Sequence, residues 1–301
     1  MKRREFIHKT ALTSVMVGLP SLPLMSFSTE KTKHITILHT NDTHSHIDPF
    51  DASDPRNPNK GGVSRRATLV EQIRKENPNT LLLDAGDIFQ GTPYFNYYGG
   101  ELELKLMSMM EYDASTLGNH EFDNGLEGFL APLPNANFDF LCSNYDFSNT
   151  ILDGYTKKYK IFNLDGIKIG VFGLGIELQG LVSKESYKET QYLDPIEITQ
   201  DMTRFLKKEK KCDLVICLSH LGYKYNNDKI SDLALASKTK DIDLIIGGHT
   251  HTFLDKPTVV NNVENKSVLV NQVGCYGINL GRIDFYFEPK KTISNGRTIE
   301  V

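Results

Sequence analysis

The amino-acid sequence predicts an α/β fold in which helices pack on β-sheets. Short apolar runs typical of buried strands alternate with segments of helical periodicity, and the C-terminal end is rich in strands. The chain has 301 residues, of which 39% are hydrophobic and 24% are charged, as is usual for a globular protein. A chain of this length forms one large domain or two small ones.

The N-terminal half contains four predicted strands and three predicted helices. The strands are 34–38, 80–83, 114–117 and 138–142, and the helices are 61–76, 100–111 and 126–130. In the first helix Val63, Ala67, Val70 and Ile73 follow helical spacing. Residues 48–60 contain three prolines and several Asp and Asn residues, so we predict a loop there.

The C-terminal half begins with a predicted β-hairpin. Asp165 and Gly166 form a strong turn signal between strands 159–163 and 167–173. Residues 177–194 are polar and predict a surface loop, and Pro195 begins a helix that extends to about residue 211. The remaining predicted elements are strand 214–218, helix 228–237, and strands 242–246, 266–270 and 281–287.

Residues 1–28 are predicted to be an export signal. Arg3, Arg4 and Phe6 resemble the start of a twin-arginine signal, and a weakly apolar run follows them. That run is short and is interrupted by Gly and Pro, so we expect no stable membrane span in the mature form. A retained anchor and a cytoplasmic protein with a basic end are the alternatives. We expect a periplasmic or cell-envelope protein with one domain at 33–290 and a polar tail at 291–301.

Charge and cysteine content exclude several classes of function. The formal net charge is −4, which gives no electrostatic basis for binding a long nucleic acid. The four cysteines form no CxxC pair, which argues against a zinc knuckle or a thioredoxin-like redox site. We expect most of them to be buried as small hydrophobic residues.

Five short polar clusters carry the chemistry, and each follows an apolar run that predicts a strand. They are Asp42-Thr43-His44, Gly86-Asp87, Gly118-Asn119-His120, Ser219-His220 and Gly247-Gly248-His249-Thr250-His251. Ligands delivered from the carboxyl ends of several strands meet at one edge of a sheet. Oxygen and imidazole ligands in this number suit a pair of divalent metals, so the sequence predicts a metal-dependent hydrolase of phosphate esters.

The clusters lie within longer blocks that resemble a known family. The blocks are NDTHSH (41–46), GDIFQGTP (86–93), GNHEFD (118–123), SHLG (219–222) and GGHTH (247–251). They resemble the signature blocks of the calcineurin-like metallophosphoesterases, and more narrowly the amino-terminal catalytic domain of the 5′-nucleotidase/UDP-sugar hydrolase family. The resemblance extends from about residue 35 to 287. It implies a four-layer α/β/β/α sandwich of two mainly mixed sheets, with the metals at one edge.

The resemblance also implies a role for each residue. Asp42, His44 and His251 would bind one divalent metal, Asn119, His220 and His249 would bind a second, and Asp87 would bridge them. A hydroxide shared by the metals would attack phosphorus. His120, held by Asp123, would be the catalytic histidine, and Asn119 and His120 would contact the substrate. Zn, Mn, Fe and Co all remain open as the metals.

Relatives in this family usually carry a second, carboxy-terminal domain that binds the nucleoside. This sequence ends soon after the last predicted strand of the catalytic domain, so we expect that second half to be absent from this polypeptide. The resemblance therefore implies a small phosphate ester or nucleotide as substrate, broad specificity, or a separate chain that completes the pocket. Two other functions stay open: an enzyme like the dimanganese thiosulfohydrolases, and a non-catalytic metal-binding subunit of a two-chain nucleotidase. The intact His120 and Asp123 argue against the subunit.

Several residues near the blocks are predicted to have structural roles. His39 and His46 match no ligand position, and we interpret them as surface residues or neighbours of the ligands. Arg65 and Arg66 are predicted to lie on a solvated helix face. For the tyrosines at 94, 97 and 98, ordinary packing is favoured over a role in a pocket.

Overall fold

The computed structural model describes residues 32–301, so the predicted export signal at 1–28 lies outside the described residues. The strands are β1 Lys33–Thr40, β2 Thr80–Asp84, β3 Ala114–Ser115, β4 Asp139–Phe140, β5 Tyr145–Asp146, β6 Tyr159–Leu164, β7 Ile167–Leu174, β8 Gln191–Tyr192, β9 Leu214–Ser219, β10 Leu244–Gly247, β11 Thr258–Asn261, β12 Ser267–Asn271, β13 Asn279–Glu288 and β14 Lys291–Glu300. The α-helices are α1 Val63–Glu76, α2 Pro93–Tyr98, α3 Glu101–Met109, α4 Gly125–Leu130, α5 Lys184–Tyr187, α6 Pro195–Arg204 and α7 Asp232–Lys238.

Two six-stranded mixed sheets form the centre of the fold. The first has the strand order β14-β13-β1-β2-β3-β4, and the second has the order β11-β12-β10-β9-β7-β6. In the first sheet β1 to β4 are parallel, and in the second β7, β9, β10 and β12 are parallel. The strands β5 and β8 form a separate antiparallel pair.

Alternation along the strands divides the core into three layers of side chains. On β1, Ile35 and Ile37 point into the space between the sheets, whereas Leu38 packs with the helices on the outer face. On β9, Leu214 and Ile216 join the same inter-sheet core, whereas Val215 packs with the helices that cover the second sheet. Because both faces of each sheet are covered, the fold is a four-layer α/β/β/α sandwich, and this prediction is confirmed.

Most predicted elements are present within a few residues of their predicted bounds. The hairpin of β6 and β7 is antiparallel, and its turn residues Asp165 and Gly166 have φ values of 50° and 75°, as a type I′ turn requires. The helix that begins at Pro195 is α-helical to Arg204 and continues as a π-helical turn at Phe205–Glu209. All four cysteines are buried and free.

Several segments differ from the prediction, and they include the strands β5 and β11, which were not predicted. Residues 291–301 were predicted to be a polar tail, but Lys291–Glu300 form the edge strand β14, which pairs with β13 along its whole length. The predicted loop 177–194 contains the helix α5 and the strand β8. The helix α2 was not predicted. Among the described helices, none combines the length and the apolar character needed to cross a bilayer.

Candidate metal centre

The residues predicted as metal ligands gather where parallel strands of both sheets end. They follow five strands: Asp42 and His44 after β1, Asp87 after β2, Asn119 after β3, His220 after β9, and His249 and His251 after β10. The sheets meet at this edge, since His220 of the second sheet has its Nδ1 2.7 Å from the Ala85 carbonyl oxygen of the first. The structure therefore brings all seven residues together, as the sequence predicted.

Five of these seven residues have a left-handed backbone. The φ values are 51° at Asp42, 47° at His44, 55° at Asp87, 70° at His249 and 49° at His251. Asp and His tolerate this region better than most residues, although each instance still costs free energy. Contacts between the loops hold it in place: the amide of Asp42 donates to Gly86, and that of His44 donates to Asp87, at 2.9 and 3.1 Å.

The first group of ligand atoms comprises Asp42, His44 and His251. The Nε2 atoms of the two histidines lie 2.9 Å apart, and His251 Nε2 lies 3.4 Å from Asp42 Oδ1. His44 Nδ1 faces the Phe89 carbonyl oxygen at 3.2 Å. A ring nitrogen that faces a carbonyl carries the hydrogen, so Nε2 of His44 presents its lone pair to the group, which is the orientation a metal ligand needs.

The second group comprises Asp87, His220 and His249, with Asn119 beside it. His249 Nδ1 lies 2.9 Å from Asn119 Oδ1, and His220 Nε2 lies 3.0 Å from Asp87 Oδ2. The Ala85 carbonyl places a hydrogen on Nδ1 of His220, and in the neutral ring the buried Nε2 has no hydrogen-bond partner in the described part of the chain. A lone pair that faces a carboxylate needs a proton or a cation between them, and this geometry fits a bound divalent metal.

Asp87 lies between the two groups. Its Oδ2 is 3.0 Å from His220 Nε2 and 3.9 Å from His44 Nε2, and its Oδ1 accepts the backbone N–H of His120 at 2.8 Å. One carboxylate thus touches ligands of both groups, which is the placement that a bridging ligand needs.

Carboxylates and imidazoles perturb each other strongly in this buried edge. Burial acts to lower the pKa of His220, but the adjacent Asp87 carboxylate raises it to about 10. For His251 burial acts in the same downward direction, whereas Asp42 raises the pKa to about 10. Burial lowers the pKa of His249 to about 4, so that imidazole is neutral. The carboxylates therefore draw positive charge into the site, as protons or as bound cations.

His120 and Asp123 form a pair at the rim of the site. His120 Nδ1 lies 2.8 Å from Asp123 Oδ2, and about 30% of each side chain is exposed. Burial acts to lower the pKa of His120, but the bond to Asp123 and the charge of Asp87 raise it above its ordinary value. The His120 ring centroid is 5.1 Å from that of His44, so an accessible proton donor lies directly beside the first group.

Glu121 is a buried member of the site that the sequence prediction missed. Its carboxylate accepts backbone N–H bonds from Gly118, Asp87 and Ile88 at 2.6, 3.0 and 2.8 Å. Burial, with the nearby Asp87 charge, raises its pKa to about 7. Glu121 therefore ties the loop after β2 to the loop after β3. The position of Glu121 within the block GNHEFD was the sequence feature that could have identified it as part of the site.

Asn41 is a second missed residue and also lies within a recognised block. Its Nδ2 donates to Asp42 Oδ2 at 2.6 Å and to the Gly274 carbonyl at 2.7 Å, and its Oδ1 accepts the Val273 N–H at 3.0 Å. Asn41 thus fixes the Asp42 carboxylate against a loop of the second sheet.

Three structural predictions near the blocks are wrong. His39 is fully buried between the sheets, with Nε2 2.9 Å from the Asn271 amide nitrogen, so it is neither a surface residue nor a neighbour of the ligands. Arg66 is buried, because it lies on the α1 face that also carries Val63 and Val70. The packing predicted for Tyr97 and Tyr98 is also wrong, since they are 85% and 53% exposed.

The fold and the clustered Asp, Asn and His side chains define a candidate metal centre that could hold divalent ions. The family model for the calcineurin-like phosphoesterases matches residues 35–253. The chain belongs to this family.

Relatives place the chain within the family. It is 37% identical over 296 residues to the trifunctional nucleotide phosphoesterase protein YfkN of Bacillus subtilis, covering 88% of this chain and 19% of that protein. A crystal structure of a 5′-nucleotidase precursor from Thermus thermophilus superposes with a TM-score of 0.81 at 34% identity, covering 89% of this chain and 55% of that one. The sulfate thiohydrolase SoxB of Thermus thermophilus shares the fold, with a TM-score of 0.72 at 17% identity, over 88% of this chain and 56% of that one. The chain spans about half, or less, of the length of these proteins.

Proposed function

We propose that this chain is a hydrolase of phosphate monoesters and that its substrates are nucleotides, as in 5′-nucleotidases. The observation that carries this proposal is the meeting of seven ligand side chains beside the accessible pair of His120 and Asp123. The relatives named for nucleotide hydrolysis, at 37% and 34% identity, support the choice of substrate.

We assign the ligands to two divalent cations. Asp42, His44 and His251 would hold one, Asn119, His220 and His249 would hold the other, and Asp87 would contribute to both. Such ions supply Lewis acidity to the phosphoryl group and acidify water, which makes hydrolysis possible at neutral pH. The mixture of nitrogen and oxygen ligands suits Zn, Mn, Fe or Co.

The chain's own contribution to the chemistry lies in His120. The bond from Nδ1 to Asp123 holds that proton in place and favours the protonated ring, which leaves the Nε2 proton for the leaving-group oxygen. The imidazolium also offsets charge on the phosphoryl oxygens. Asn119 is the second proposed substrate contact. It directly precedes His120 in the chain, and its side chain lies against His249.

The test is a substrate screen with metal-loaded protein. AMP, a UDP-sugar, a cyclic nucleotide, an aryl phosphate and a thiosulfate ester are assayed with the purified chain alone. We expect nucleotide hydrolysis, and hydrolysis without any added chain argues against the two-chain alternative. Hydrolysis of the thiosulfate ester without phosphatase activity would overturn the proposal.

A variant separates catalysis from metal binding. His120→Ala should lower kcat by about 10²–10⁴-fold, the usual contribution of a general acid, while elemental analysis finds the metal content unchanged. An equal loss of metal would make His120 a ligand or a structural residue.

We also propose that the protein is exported, on the basis of the arginine pair at its N-terminus. Fractionation of cells expressing the full chain tests this.

A further inference from the structure

A groove that none of the predicted site residues lines opens beside the second ligand group. It consists of two adjoining cavities of about 300 and 280 Å³, which share Glu177 and Tyr192 in their walls. Together they have the size of a small-molecule site. We call this region the 177/192 groove.

The topology places the 177/192 groove next to the ligands. Strand β7 pairs in parallel with β9, so the segments that follow them leave from the same edge of the second sheet. The amide of His220 donates to the Leu174 carbonyl at 2.8 Å. The wall residue Leu221 directly follows His220, and the wall residue Ile176 lies two positions after Leu174. The inner end of the groove therefore begins within one or two residues of a proposed metal ligand.

The other side of the groove is connected to the loop that carries His120. Tyr145 lines the outer cavity, its ring centroid is 5.8 Å from that of Phe122, and its hydroxyl donates to the Ile176 carbonyl. Both walls thus lead back to the ends of strands that hold the site, and a substrate held there by its phosphate has the groove as a place for its remaining atoms.

The chemistry of the walls changes along the groove. The inner cavity carries the Lys229 ammonium, which lies over the Tyr225 ring at 4.8 Å, and the carboxylates of Glu177 and Asp194. The ring of Tyr192 forms the wall common to both cavities and is half-buried. Tyr192 lines the inner cavity together with Glu177 and Asp194. Burial, followed by the charges of these two carboxylates, raises the pKa of Tyr192 well above its ordinary value.

The outer cavity contains an unsatisfied polar group. Thr190 lines it and is 7% exposed, and its hydroxyl oxygen has no hydrogen-bond partner among residues 32–301. A buried hydroxyl without a partner costs free energy that a bound polar ligand can recover. The groove thus offers the kinds of groups that recognise a nucleotide. Carboxylates and hydroxyls bind sugar hydroxyls, an aromatic ring stacks on a planar base, and an ammonium group attracts phosphate.

We propose that the 177/192 groove binds the nucleoside part of the substrate, with Glu177 accepting hydrogen bonds from the sugar hydroxyls and Tyr192 contacting the base. This inference rests on the proposed nucleotide hydrolysis. It makes Glu177 a specificity-determining residue, because a carboxylate distinguishes a sugar that has its hydroxyl from one that lacks it.

The first test measures kcat/KM for AMP, 2′,3′-dideoxy-AMP and an aryl phosphate. Glu177→Gln should lower the value for AMP by about tenfold or more, the effect of weakening a hydrogen bond to a charged group, and should change the other two substrates little. Tyr192→Ala should lower the values for both nucleotides and spare the aryl phosphate. The matched control is Glu189→Gln, an exposed carboxylate of the same segment outside the groove.

A second test measures binding of adenosine, which has no phosphate, by calorimetry. We expect wild-type protein and Glu189→Gln to bind it alike and Glu177→Gln to bind it about tenfold more weakly. If wild-type protein hydrolyses AMP but the AMP/dideoxy-AMP ratio and adenosine affinity survive Glu177→Gln, this inference alone fails, and a protein partner becomes the better occupant of the groove. If no nucleotide is hydrolysed and adenosine does not bind, the proposed function and the inference fail together.

Discussion

Replacing Glu121 tests whether one buried carboxylate holds the metal-site loops together. In Glu121→Ala the backbone N–H groups of Gly118, Asp87 and Ile88 lose their common acceptor, and all three lie in buried surroundings. The proposed metal ligand Asp87 has a left-handed backbone with φ of 55°, so the loop depends on such contacts to keep its conformation.

The cost follows from the number of bonds. A hydrogen bond contributes about 0.5–1.5 kcal/mol between neutral groups and about 1.5–3 kcal/mol to a charged group. Because the pKa of Glu121 is about 7, its carboxyl is about half ionised at neutral pH, and three such bonds sum to roughly 3–7 kcal/mol. Water that enters the vacated space restores part of this hydrogen-bond energy, and we expect the free energy of unfolding to fall by about 3–5 kcal/mol. For a domain whose unfolding free energy is about 5–15 kcal/mol, this is a large fraction. Glu121→Gln keeps one acceptor oxygen but turns an NH₂ group toward a backbone N–H, and we expect about half the loss.

The assay is urea unfolding of the chelated protein, followed by elemental analysis of metal-loaded samples. Glu127→Ala is the matched control, because Glu127 is an exposed carboxylate whose pair with Lys188 is worth about 0–1 kcal/mol. An unfolding free energy of Glu121→Ala within about 1 kcal/mol of wild type, with full metal content, would refute the reasoning.

Three further predictions concern the same edge of the fold. Burial raises the pKa of Asp84 from 3.8 to about 6. The free energy of unfolding of the wild type, relative to that of Asp84→Asn, should therefore fall by up to about 3 kcal/mol as the pH rises from about 4 to about 6, and should fall no further above that pH. Urea unfolding at a series of pH values measures this difference. Gly118→Ala places a methyl group 2.2 Å from Asp87 Oδ1 and should reduce bound metal in elemental analysis, whereas Gly99→Ala, with no atom within 4 Å, should retain it. Chelation should abolish activity and also lower Tm. The free energy of unfolding should fall by about 4 kcal/mol where the free cation had been at 1,000 times its Kd.

The apolar strands were predictable because a strand covered on both faces has a nearly continuous run of apolar residues. The strand predicted at 214–218 is Leu214–Ser219 in the structure, and every residue in it is buried. Strand β14 had no such signal, since most of its side chains are exposed and it is held by backbone bonds to β13. Pairing of that kind leaves little trace in the sequence of the edge strand.

Arg66 shows where residue type misleads. Its position on α1 satisfies the same spacing as Val63 and Val70, yet its charge suggested a solvated face. The buried guanidinium lies so close to Gly277 that a methyl group there would be 2.1 Å from Nη1. The loop before β13 packs against α1 and contributes to this burial, and that loop is over two hundred positions away in sequence.

The blocks identified the residues of the site but not how the chain orients them. Two backbone carbonyls, of Phe89 and Ala85, select the hydrogen-bearing nitrogen of His44 and His220. Any residue type supplies a carbonyl, so these contacts have no signature in the sequence. The left-handed backbone at Asp42 likewise depends on its amide bond to Gly86, which forms only when β1 and β2 are paired.

Each proposed ligand group takes side chains from both sheets, so bound cations would have a part in folding as well as in chemistry. Asp42 and His44 come from the first sheet and His251 from the second, whereas Asp87 meets His220 across the same edge. Apolar contacts are not directional, so the core between the two sheets sets the relative position and orientation of the sheets less precisely than metal–ligand bonds would. Cations at this edge would join the sheets at the point where the proposed chemistry needs the greatest precision. Metal affinity and sheet packing are therefore coupled, and a substitution in the inter-sheet core, such as Ile216→Ala, is expected to weaken metal binding without touching a ligand.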